Sequence, residues 1–161
     1  MVYHIFETIE DFHQKEECNG FARVRAIHNI ANGPKVNVVV DGNVVLRNIC
    51  YKDCSDYLVL PSGKHCVGIA TDTECKQFII SKSFDLTAGS DFTLIAHGLI
   101  NESSSIDLLA LEDNNNVPAY VRFIHAAAGA PAVDIYEASD VDNPREIFTN
   151  VSYGNTGNPE Y

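Results

Sequence analysis

The chain has 161 residues and sets 11 Lys+Arg against 22 Asp+Glu, a formal charge of −11. That balance argues against nucleic acid or an anionic membrane as partner, because both need a positive face. No apolar run approaches the roughly 20 residues of a membrane span, so no membrane insertion is expected.

Residues 1–20 read as an acidic N-terminal arm. It has neither a basic n-region nor an apolar h-region, so it does not read as a secretory signal. Ile5, Ile9 and Phe12 have helical spacing, while Val2, Tyr3 and Ile5 suit an extended strand, and periodicity leaves both open.

Residues 21–113 read as all-β, with short apolar runs divided by turn residues. Lys35 to Val40 alternates, with Val36, Val38 and Val40 on one face, and Asp41-Gly42 then predicts a tight hairpin turn into Val44-Val45-Leu46. Further strands are predicted over Tyr57 to Leu60, from His65, over Phe78 to Leu86, Asp91 to Leu99 and Ile106 to Leu111. Seven or eight strands in about 93 residues is the rhythm of an Ig-like antiparallel β-sandwich. Residues 114–118 are a linker by composition.

Residues 119–161 repeat the start of the sandwich. Val24-Arg25-Ala26-Ile27-His28 returns as Val121-Arg122-Phe123-Ile124-His125, 97 residues later. Ala31, Pro34 and Val36 return as Ala128, Pro131 and Val133. Asn48-Ile49-Cys50-Tyr51 returns as Asn150-Val151-Ser152-Tyr153 at a spacing of 102, with the extra residues in a hairpin around Glu137 to Pro144. The period is that of a domain, not a solenoid. The second copy reaches Tyr161 with about three strands, and three strands with one apolar face do not bury that face alone.

At these residues the sequence resembles the family called domain of unknown function 4397. His125 to Tyr136 matches the family's opening H-A-S-P-D-A-P-A-V-D-V-Y stretch, and His28 to Gly42 matches it more loosely. Tyr57-Leu-Val-Leu-Pro-Ser-Gly63 is similar to its Y-L-x-L-P-x-G, and Leu86 to Ala96 to its L-x-A-G-x-x-Y-T-V-x-A. The resemblance covers residues 22–161. It implies β-sandwich repeats on cell-surface, cell-wall or spore-associated proteins, with no established enzymatic activity. The arm, the cysteines and the Asn29 to Asn32 loop depart from the pattern.

Five cysteines lie in the first half. Cys66 and Cys75 flank a hairpin and would bridge if they faced each other across it. Cys50 and Cys54 flank a short loop and would bridge each other or reach Cys18. Five is odd, so one thiol is left over, and Cys18 on the arm is the candidate for an intermolecular bond. The competing expectation is five ordinary reduced thiols. The Cys66–Cys75 spacing is too wide for a zinc pair, and no catalytic arrangement stands out. Neither metal nor other cofactor is expected.

His28 and His125 occupy equivalent strand ends. They are expected to hydrogen-bond the backbone of the following loop, where Pro34 or Pro131 holds a turn. Together with Asp134 they are the candidates for a loop-borne ligand site. Asn101-Glu-Ser and Asn150-Val-Ser are glycosylation sequons, relevant in a secretory context.

Two functions compete. The first is a non-enzymatic structural subunit of a surface assembly (fibre, appendage or coat), extracellular or on a cell or spore surface. Its partner would be another copy or another surface subunit, joined by strand exchange of the arm and by disulfides. The alternative is a surface binding or adhesion module that recognises a glycan or protein through the loops Asn29 to Gly33 and Ala126 to Ala130.

Overall fold

The computed structural model describes residues 20–71, 77–113, 121–137 and 142–157, with the backbone alone for residues 102–104. The chain divides into two compact units, Met1–Asn115 and Asn116–Tyr161.

Unit 1 is an all-β sandwich of eight strands: β1 (Phe21–Ala31), β2 (Val36–Val40), β3 (Asn43–Ile49), β4 (Leu58–Pro61), β5 (Gly63–Ala70), β6 (Phe78–Leu86), β7 (Asp91–Leu99) and β8 (Glu102–Asp113). They form two four-stranded sheets, ordered β4-β1-β7-β8 and β3-β2-β5-β6. The β2–β3 turn is Asp41-Gly42, both with positive φ (49° and 82°). That is the twist a two-residue hairpin needs to match its strands, and it is why Asp-Gly stands there.

The sandwich is not purely antiparallel. β1 pairs with β7 in parallel, from Arg23↔Asp91 to Ala31↔Leu99. Parallel neighbours need a long crossover, and the excursion through the other sheet supplies it. Local turn signals are silent on such a pairing.

Period-two alternation builds the core. Val24, Ala26 and Ile30 of β1, Phe92, Leu94 and Ala96 of β7, and Leu108 of β8 belong to one buried cluster with Val36, Val38, Val40, Val67 and Ile69 of the second sheet. Two strands depart from one-sided burial. β2 is buried on both faces, because Val39 packs with Ala70 and Val44 on the outer side. There the Phe78 ring lies so close over Gly68 that any Cβ would overlap it. β7 is buried from Asp91 to Gly98, since it is central in its sheet and its outward polar groups have partners.

Unit 2 contains β9 (Phe123–Ile124), β10 (Val133–Glu137), β11 (Arg145–Val151) and β12 (Thr156–Gly157). β10 pairs antiparallel with β11, and β9 with β12. The pairing Thr156↔Ile124 stands where unit 1 has its isolated bridge Ile27↔Cys54. Unit 2 therefore repeats the β1–β2–β3 framework of unit 1.

Candidate functional site

The loop after β1 is fastened by His28. Its Nδ1 accepts the Ile30 N–H at 3.3 Å, which leaves the Nε2 hydrogen to reach the Pro34 carbonyl at 2.9 Å. The backbone closes around it: His28 N–H donates to Asp53 O, Lys52 N–H to His28 O, and Gly33 N–H to Ile30 O. Tyr51 meets the imidazole edge-on at 6.2 Å. Unit 2 builds the same clamp. His125 Nδ1 accepts Ala127 N–H at 3.3 Å, Nε2 reaches Pro131 O at 2.8 Å, and Tyr153 stands edge-on at 6.2 Å. Asn155 O, Gly154 N–H and the Ala130–Ala127 bond repeat the backbone part. Both ring nitrogens of each histidine are committed to their own loop.

A second repeated device involves Asp134. Its Oδ1 accepts the backbone N–H of Asn150 at 2.8 Å, and Asn37 Oδ1 accepts that of Asn48 at 2.9 Å. Asn48 and Asn150 both sit at positive φ, 56° and 55°, a conformation that Asn tolerates better than most residues. Asp134 thus caps an irregularity in the β10–β11 ladder. The motif Asn48-Ile-Cys-Tyr and its return at Asn150 was the available signal for this device. Asn101 lies exposed in the β7–β8 turn.

The cysteines do not form the bridges that their spacing suggested. Cys50, Cys54 and Cys66 are free. Opposite Cys66 on β6 stands Ser83, and the Cys66 sulfur lies 3.2 Å from the Ser81 hydroxyl. Cys50 and Cys54 sulfurs turn to the carbonyls of Asn48 and Ser55 respectively. Cys75, Cys18 and the arm residues Val2, Tyr3 and Ile5 lie outside the described residues.

Two polar clusters escaped sequence reasoning. On the outer face of the β1 sheet, Arg23 forks onto both oxygens of Asp91, and Arg25 Nε donates to Thr93 at 2.9 Å. Tyr57 donates to Asp113 at 2.9 Å, with both guanidinium carbons about 5 Å from its ring. Burial and then the Asp113 carboxylate raise the Tyr57 pKa above its ordinary value. The contacting pairs are 32 to 68 residues apart in sequence, so no local motif announces them. On the other sheet, buried His65 places Nδ1 2.6 Å from Asp41 Oδ2 and Nε2 2.8 Å from Pro61 O. Adjacent Cys66 is exposed and gives its backbone N–H to Asp41.

Among the described residues, no group of three or more His, Cys, Asp or Glu is placed to hold a metal ion. A cavity of about 10 Å³ beside Ala26, His28, Val36, Val67 and Leu94 is of water size, far below a ligand pocket.

The largest contrast between the two units is at equivalent apolar positions. Val24 is 4% exposed and Val121 60%; Val36 is 2% exposed and Val133 37%; Val39 is 3% exposed and Tyr136, in its place, 48%. The framework is the same, but these three apolar positions are open in unit 2, where Val151 is buried.

No curated protein matches the chain. A family model described as a domain of unknown function, DUF4397, matches residues 22–136. That span runs from the first strand of the complete sandwich, through His28 and His125 and the loops that follow them, to the penultimate residue of β10, and the chain belongs to the DUF4397 family.

Proposed function

We propose that the chain is a non-enzymatic structural subunit of a surface-displayed assembly, a fibre, appendage or coat. Copies are joined by strand addition from the N-terminal arm, with Cys18 as the thiol that locks the joint. One observation carries this reading: Val121, Val133 and Tyr136 are exposed where Val24, Val36 and Val39 are buried. Natural proteins avoid open apolar sheet edges unless the edge is used for pairing. A head-to-tail contact of this kind is heterologous, and when it does not close into a ring it propagates as a filament. The charge of −11 opposes association of like subunits, so the joint must be specific and its strength should rise with salt.

The test is native purification followed by non-reducing electrophoresis and electron microscopy. Oligomers that shorten when residues 1–20 are removed are expected. A monodisperse monomer, indifferent to reductant and to loss of the arm, overturns the proposal.

A further inference from the structure

In unit 1, β2 is paired along both edges, by β3 on one and β5 on the other. β10 occupies the place of β2 in the repeat, and among the described residues it is paired by β11 on the edge equivalent to that of β3. The edge that corresponds to the β5 side runs along Asp134–Glu137, the counterpart of Asn37–Val40.

Unit 1 thus displays what fits this edge. β5 runs antiparallel, with Ala70, Ile69, Gly68 and Val67 opposite Asn37, Val38, Val39 and Val40. Val67 and Ile69 face the core, while Gly68 and Ala70 face outward. The requirement is an extended segment with two apolar side chains one residue apart. Charge adds a second requirement. Asp134 and Glu137 are acidic, and Glu137 stands where unit 1 has Val40, so an acidic strand placed opposite would be repelled.

The arm contains one segment that meets both requirements. Val2-Tyr-His-Ile-Phe6 is free of acidic residues, rich in strand formers and alternates Tyr3 and Ile5; the acidic residues begin at Glu7. Laid in the register of β5, Tyr3 stands opposite Glu137, His4 opposite Tyr136, Ile5 opposite Ile135 and Phe6 opposite Asp134. Tyr3 and Ile5 then take the core-facing places of Val67 and Ile69.

We propose that this edge of β10, unpaired among the described residues, is the acceptor for Val2–Phe6 of a second copy, added antiparallel in this register. The inference rests on the assembly reading and gives it a site and an orientation. Backbone ladder bonds supply the affinity, and the alternating side chains supply the register.

The test is a titration of dilute, isotope-labelled full-length chain with a synthetic peptide of residues 1–9, followed by amide resonances. Saturable shifts centred on Asp134–Glu137 are expected. The same peptide N-methylated at alternate residues cannot form the ladder and should bind at least about tenfold more weakly. Shifts confined to Val36–Val40, no shifts, or equal binding of the N-methylated peptide overturn the proposal. Binding at β10 by a peptide of residues 63–70 but not by residues 1–9 overturns the arm as occupant. Filaments that form although the 1–9 peptide does not bind leave the assembly reading standing and remove the site. Peptide binding at β10 by a chain that stays monomeric keeps the site and removes the assembly.

Discussion

At the scale of single residues, the two histidine clamps are the clearest case of chemistry used for structure. His28 is buried, and its ring satisfies one donor and one acceptor of the loop it closes. Replacing it by Ala strands the Ile30 N–H and the Pro34 carbonyl and opens a void. His28→Ala should destabilise unit 1 by about 2–4 kcal/mol, measured by urea unfolding. His97 gives a pH signature. Burial lowers its pKa below the ordinary 6.5, Asp107 opposes the shift and Lys82 adds to it. The folded state therefore resists protonating this ring. Its contribution to stability is full above about pH 6.5 and is lost as pH falls from there through the lower folded value. His97→Gln should flatten the stability curve over that window, and denaturation midpoints of both proteins across it are the check. The equivalence of His28 and His125, and their loop-binding role, were legible in the sequence because the motif Val-Arg-x-Ile-His and the proline six residues on are both local. Their tautomer was not, since it depends on which backbone groups the fold brings to each nitrogen.

At the scale of elements, local chemistry set the hairpins. Strands β6 and β7 occupy the residues predicted from apolar runs between turn residues, and Asp41-Gly42 makes the turn that its dipeptide announced. Gly42 stands at φ +82° with open space around it, so a side chain there meets backbone strain and no clash. Gly42→Val should lower stability by about 1–2 kcal/mol, read as a thermal midpoint drop, while Gly42→Asn should be nearly neutral. The Cys66 bridge failed at this same scale. Strand register sets Ser83 against Cys66, and register is a property of two strands together. The burial of β7 on both faces was equally hidden, because it depends on β1 and β8 lying either side of it.

At the scale of the whole molecule, the two units differ in how far each can stand alone. Every member of the main core cluster, from Ala22 to Ala110, belongs to unit 1. A fragment of residues 20–115 should therefore unfold in one cooperative transition, whereas a fragment of residues 119–161 should show no cooperative transition by circular dichroism. A cooperative transition in the smaller fragment would mean that four short strands suffice and that its exposed apolar positions need no partner.

By itself the sequence determined the all-β class, the repeat, the hairpin turns and the pairing of histidine with loop. Each of these rests on residues a few positions apart, or on similarity between two stretches of one chain. Tertiary structure decided the parallel β1–β7 pairing, the free state of Cys50, Cys54 and Cys66, and the Arg23–Asp91 and Tyr57–Asp113 network. It also decided which valines of the repeated framework are covered and which stand open. Those outcomes depend on which distant strands share a sheet, and spacing along the chain carries no record of that choice.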